Sequence, residues 1–135
     1  MAISLWDFEG DWQLERRIDD HLTGGQGRFC GQAVFARDGD GLTYRETGWL
    51  VINGARFQAE RQYLWHPDGA RIAVMFGDGR PFHHFAPEPL SQAGHWCDPD
   101  QYDVRYDLGD WPQWQAKWRV TGPRKDYTML SQYAR

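Results

Sequence analysis

The sequence predicts an all-β chain: an antiparallel, up-and-down β-barrel of about nine to ten strands after one short helical turn. Three observations predict it. Apolar and polar residues alternate with a period of two along most of the chain, as half-buried strands require. Turn signals recur about every ten residues, the spacing of a sandwich or barrel. No amphipathic helix of ordinary length interrupts them. Short hairpin connections favour a meander over a Greek key, which needs a long crossing. Closing the sheet removes its edges and suits a monomer or a weak homodimer.

Residues 3–7 form the helical turn. Trp12, Leu14, Arg16 and Ile18 then alternate with Gln13, Glu15, Arg17 and Asp19 in a first strand. Gly24, Gly25 and Gly27 turn the chain into a second strand over residues 28–37, with Phe29, Gly31, Ala33 and Phe35 on one face. Asp38-Gly39-Asp40-Gly41 is a hairpin signal, because Asp-Gly accepts positive φ. The third strand covers 42–52, and Asn53-Gly54 closes the next hairpin. Residues 56–65 make the fourth. Pro67-Asp68-Gly69 turns into a strand over 70–76, and Gly77-Asp78-Gly79 into a short one over 80–85. Pro87 and Pro89 mark a loop before a strand over 91–97. Asp98-Pro99-Asp100 precedes a strand with Tyr102, Val104 and Tyr106 on one face. Residues 109–112 loop into Trp114, Ala116, Trp118 and Val120, and Gly122-Pro123 into the last strand, about 125–133.

The fourth strand organises the rest. Phe57, Ala59, Arg61, Tyr63 and Trp65 share a face, with Arg61 in the middle of it. A buried guanidinium must be paired, since an isolated buried charge is very costly. The third strand offers Tyr44 and Glu46 on the face of Leu42, Gly48 and Leu50. These two strands therefore read as a barrel wall bearing a small polar site.

At 135 residues the chain has the length of one domain, spanning 1–135. A net charge of -4 without a Lys/Arg run gives no nucleic-acid footprint. No apolar run reaches the length of a membrane span. The start lacks the basic and long apolar regions of a signal peptide, so a cytoplasmic location is expected. Cys30 and Cys97 read as free thiols of a reducing compartment.

Gly10-Asp11-Trp12, at the head of the first strand, resembles the Gly-x-Trp of the calycin superfamily, which holds the lipocalins and fatty-acid-binding proteins. The resemblance implies a calycin-like barrel in which Trp12 closes one end under a late basic residue, here supplied by Gly122-Pro123-Arg124-Lys125. Phe8-x-Gly10-x-Trp12, Tyr44-x-Glu46-x-Gly48, Tyr63-x-Trp65, Phe76-x-Asp78-Gly79-Arg80-x-Phe82-His83, His95-x-Cys97-x-Pro99-Asp100-x-Tyr102 and Gly122-Pro123-Arg124-Lys125-Asp126-Tyr127 together resemble a bacterial family of short proteins, domain of unknown function family 6314. That family implies the barrel and no established activity.

The inward polar set is Arg16, Tyr44, Glu46, Arg61, Tyr63, His95, Cys97, Tyr102, Tyr106, Tyr127 and Ser131. Two Arg against one Glu leave a positive excess. This predicts a small, partly apolar anion, a carboxylate for instance, bound in the lumen. Arg61 and Arg16 would meet the charge, and Tyr44, Tyr63, Tyr102 and Tyr127 would donate hydrogen bonds, with His95 beside them. Trp12, Phe57, Trp65 and Trp118 would cover the apolar body.

The set is similar in residue types to the interior of phenolic acid decarboxylases. The same residues could thus serve a cofactor-free lyase or isomerase acting on a small carboxylic acid, with Glu46 as proton carrier beside Tyr44 and Tyr63. A third reading is a structural barrel with a filled polar interior, in which Glu46 neutralises Arg61. His83, His95 and Cys97 are metal-ligating residue types short of a tetrahedral set, and His83, His84 or His95 could face haem. The expectation is no metal and no cofactor, with a buried Cys97 thiol beside a hydrogen-bonded His95.

Overall fold

The computed structural model describes residues 2–135. A 3-10 turn at Leu5–Phe8 leads into ten strands: β1 Gly10–Asp20, β2 Gln26–Asp38, β3 Gly41–Ile52, β4 Ala55–Asp68, β5 Arg71–Phe76, β6 Pro81–Phe85, β7 Leu90–Cys97, β8 Asp100–Asp110, β9 Gln113–Thr121 and β10 Asp126–Ala134. They form one antiparallel sheet in the order β6-β5-β4-β3-β2-β1-β10-β9-β8-β7. Sequential strands pair except β6 with β7, and β1 pairs with β10 to join the two halves of the wall. The fold is the expected up-and-down, calycin-like barrel. Among the described residues no helix is long and apolar enough to cross a membrane.

Alternation puts the inward residues where period two predicts. Trp12, Leu14 and Arg16 of β1 are buried, as are Phe29, Ala33 and Phe35 of β2. Asn53 and Gly54 both take positive φ, 50° and 77°, which matches the β3–β4 hairpin to the right-handed twist of its strands. Phe8, Trp12, Trp111 and Trp114 form a floor of edge-on aromatic contacts with ring centroids 4.9–5.9 Å apart. The opposite end, where β3 ends and β4 begins, is open.

Closure differs from expectation in one respect. β6 and β7 end the sheet on either side of a seam with no ladder between them. β6 has five residues and begins at Pro81, and Pro87 and Pro89 lie between the two strands. Proline lacks the N–H that a ladder needs. Side chains bridge part of the seam: the Phe82 ring meets the His95 ring edge-on, centroids 5.3 Å apart.

The Gly-x-Trp end is capped by another residue than expected. The Arg135 guanidinium lies 3.9 Å from the centre of the Trp12 ring and donates to the Asp7 and Glu9 carbonyls at 2.6 and 2.8 Å. Arg124 and Lys125 sit at the β9–β10 turn on the open end, and Lys125 pairs there with Asp100 at 3.0 Å. An up-and-down barrel returns the end of its last strand beside the start of the first. A cation at the terminus of β10 therefore reaches Trp12, and one at the start of β10 does not.

Candidate functional site

The lumen contains a cavity of about 670 Å³. It is lined from every strand but β2: Arg16, Tyr44, Glu46, Arg61, Tyr63 and Trp65 from β1, β3 and β4, Phe76, Phe82 and His83 from the β5–β6 hairpin, His95 and Cys97 from β7, and Tyr102, Tyr106, Trp114, Trp118, Tyr127, Met129 and Tyr133 from β8–β10. A filled interior does not describe this barrel.

One side of the lumen is a self-satisfied polar network. Arg16, 8 % exposed, grips Glu46, 2 % exposed, through Nη1–Oε2 at 2.6 Å and Nη2–Oε1 at 3.0 Å. The Arg16 Nε donates to Ser131 Oγ at 2.7 Å. The Tyr44 hydroxyl donates to Glu46 Oε1 at 2.8 Å, so its oxygen accepts from Tyr133, also at 2.8 Å. Burial pushes the Glu46 carboxyl up. The bonds and charge of Arg16, the Tyr44 hydroxyl and the charge of Arg61 outweigh it, and the net direction is down. Burial above all raises the phenols, Tyr44 well above its ordinary value and Tyr133 to about 12.

This pairing corrects the expected one. Glu46 and Arg61 are register partners on β3 and β4, yet Glu46 bonds Arg16, two strands away. The inner face between them carries Gly31, Gly48 and Ala33, with Gly31 opposite Gly48. The two backbones approach so closely there that a Cβ at Gly31 would strike the Thr47 carbonyl and one at Gly48 the Cys30 carbonyl. Arg61 is in turn exposed, not buried, and among the described residues it forms no ion pair. It stands on the cavity wall toward the open end. The other cation there, Arg80, is held by Asp78 of its own turn at 2.7 Å.

Tyr63, Tyr102, Tyr127, His95 and Trp118 line the cavity beside Arg61, half-buried. Burial raises the Tyr127 phenol. Two expected wall residues do not line it. Trp12 is in the floor, donating its indole N–H to the Phe8 carbonyl at 2.8 Å, and Phe57 is 51 % exposed, beyond the rim. Alternation assigns a face but not a height along the barrel.

His83, which the sequence did not orient, points inward and is 5 % exposed, while His84 points out to Asp68. His83 Nε2 lies 2.7 Å from the Tyr106 hydroxyl. Burial, then the nearby His95 and His84, push the imidazole down to about 3, so it is neutral. Cys97 is exposed at the mouth, not buried, and no hydrogen bond ties it to His95, because β7 borders the open seam. Among the described residues, no three His, Cys, Asp or Glu side chains group closely enough to hold a metal ion. Val74, Phe76, Phe82, Trp114, Met129 and Tyr133 also line the cavity and were not among the expected site residues. Their inward alternation was visible, but not their place beside the cavity.

The model of a family described as "Family of unknown function (DUF6314)" matches residues 8–135. No curated protein matches the sequence. Among solved structures, the chain is similar to the S-type phycobiliprotein lyase CPES from Guillardia theta. The TM-score is 0.66 at 9 % identity, over 98 % of this chain and 93 % of that one. At that identity the likeness establishes the barrel alone.

Proposed function

This chain belongs to the DUF6314 family, of unknown function, and from the cavity itself we propose that the protein binds a small, partly apolar carboxylate in its lumen. The observation that carries this reading is the uncompensated charge of Arg61 on the wall of an aromatic cavity. Arg16 and Glu46 cancel, so Arg61 alone sets the sign of the site. A carboxylate offers the guanidinium paired, charge-assisted hydrogen bonds, and the hydroxyls of Tyr63, Tyr102 and Tyr127 are at hand to add more. Phe76, Phe82, Trp118 and Met129 supply the apolar wall typical of small-molecule pockets.

Glu46 weighs against the enzymatic alternative. A proton carrier works best with a pKa near the working pH. Glu46 is held as the anion by three donated bonds, with its pKa moved down.

Biphenyl carboxylic acid and its primary amide test the proposal through quenching of the Trp fluorescence. The acid should bind at least about tenfold more tightly than the amide, roughly 1.4 kcal/mol. Arg61→Met should bring the acid down to the level of the amide. Equal affinity of the acid for wild type and variant would overturn the reading.

A further inference from the structure

The β9–β10 turn brings a cation to one phenol of the cavity mouth. Lys125 Nζ lies 3.0 Å from the Asp100 carboxylate and 3.4 Å from the Tyr102 hydroxyl oxygen. It is 5.8 Å from the centre of the Tyr102 ring, so it stands off the tip of the hydroxyl and not against the ring face. Two features of the turn hold this group in place. The Gly122 N–H donates to the Lys125 carbonyl at 2.8 Å and closes the turn. A Cβ at Gly122 would strike Asp100, so glycine there leaves room for the carboxylate that holds the lysine.

The direction of the Tyr102 hydrogen bond follows from its partner. An ammonium has donors and no acceptor, so the Tyr102 oxygen accepts. The phenol's one hydrogen points elsewhere, and among the described residues it has no acceptor. Tyr102 lines the cavity. The other phenols of the wall differ. Tyr44 gives its hydrogen to Glu46, and Tyr133 gives its own to Tyr44. Tyr106 is tied to His83. Tyr63 and Tyr127 form no side-chain hydrogen bond among the described residues, so no neighbour fixes which way their hydroxyls turn.

We infer that Lys125 is a positioning residue: held by Asp100, it turns the Tyr102 hydroxyl into the lumen as the donor that meets the ligand's carboxylate alongside Arg61. The inference rests on the carboxylate reading above and adds the residue that prepares the second donor. The two cations converge on one part of the mouth. Tyr102 and Tyr127 flank Val120 in one register row. Burial raises the Tyr127 phenol, while the charges of Lys125 and Arg61 both pull it down, so both stand near it. A cation at the Tyr102 oxygen also polarises the O–H and strengthens it as a donor. Asp100 neutralises Lys125, so the effect on the ligand passes through the phenol and not through net charge.

The test is a double-mutant cycle read by quenching of the Trp fluorescence with biphenyl carboxylic acid. Tyr102→Phe should weaken binding of the acid at least about tenfold, the loss expected for a hydrogen bond to a charged group. Lys125→Met should weaken it at least about fivefold in wild type, and change it by no more than about twofold in the Tyr102→Phe background. Lys125→Arg keeps a donor for the phenol and a charge for Asp100 and should bind like wild type. In case Lys125→Met does not fold, carbon NMR of the wild-type tyrosines gives a second readout: the acid should shift the Tyr102 Cζ. Equal losses from Lys125→Met in the two backgrounds would mean that the lysine acts by its charge alone and would overturn the inference. So would a Tyr102→Phe variant that binds like wild type, or an unmoved Tyr102 Cζ. Those results leave the Arg61 site standing. Loss of the preference for acid over amide in wild type would overturn the carboxylate site and this inference with it.

Discussion

Arg16 and Glu46 meet across two strand intervals in a bidentate pair, and the residue directly opposite Glu46 in the ladder, Arg61, is left without a carboxylate. That arrangement divides one polar lumen into two parts. One has every charge answered. The other presents to an open cavity one cation, Arg61, that is unpaired among the described residues, and any function built on charge has to use it.

The division predicts opposite stability effects for the two arginines. Arg16→Met leaves the buried Glu46 carboxylate without its cation and should cost about 3–5 kcal/mol. Arg61→Met removes an exposed, unpaired side chain and should stay within about 0.5 kcal/mol. Urea unfolding measures both. A small loss for Arg16→Met would mean that the carboxylate takes up a proton or that Arg61 swings over to it.

Arg135 should hold the floor shut. Arg135→Ala removes two hydrogen bonds to backbone carbonyls and the cation over Trp12, worth about 1–3 kcal/mol together. Amide exchange over Leu5–Phe8 should quicken. Lys125→Ala breaks an ion pair at the opposite end and should cost no more than about 1 kcal/mol without changing that exchange. The reverse pattern would return the capping role to the β9–β10 turn.

The two thiols report on the cavity. Both are exposed, but Cys97 lines the mouth and Cys30 lies on the outer face of β2. Alkylation should modify both in the free protein. Biphenyl carboxylic acid at ten times its Kd should slow reaction at Cys97 about tenfold by mass action and leave Cys30 unchanged. Mass spectrometry of the labelled peptides separates the two. Equal protection, or none, would place binding away from the lumen.

Much of this was legible in the sequence, and the limit has a physical cause. Period two gives the face of every strand, and the hairpin residues give the order of strands, so Trp65, Tyr63 and Arg61 were correctly expected to point inward. Neither signal carries height along the barrel or reach across it. Trp12 and Phe57 share the inward face with the cavity residues, yet one lies in the floor and the other above the rim. The Arg16–Glu46 pair spans two strand intervals past Gly31 and Gly48, whose backbones pack so closely that a Cβ at either would strike the neighbouring strand. An opposite charge on the adjacent strand is the natural partner only when nothing longer can cross to it. The two empty positions were in the sequence, but their consequence appears only when the strands are in register.

His83 should make the barrel acid-sensitive in a defined window. Its ordinary value is 6.5 and burial, with His95 and His84 nearby, takes it to about 3 in the folded chain. The unfolded chain therefore binds a proton near 6.5 that the folded chain refuses until about 3. Its contribution to stability is complete above 6.5 and is lost as the pH falls toward 3, by up to about 1.4 kcal/mol per pH unit. Glu46, also depressed, acts in the same sense below 4.5. Between pH 7 and pH 5 Glu46 plays little part, and His83 should cost about 2 kcal/mol. Urea midpoints at the two pH values, for wild type and His83→Phe, isolate it, because the other histidines are common to both proteins. The variant should lose about 2 kcal/mol less than wild type over that interval. Identical losses would mean that the folded protein protonates His83 freely, and the imidazole would then be open to water rather than sealed in the wall.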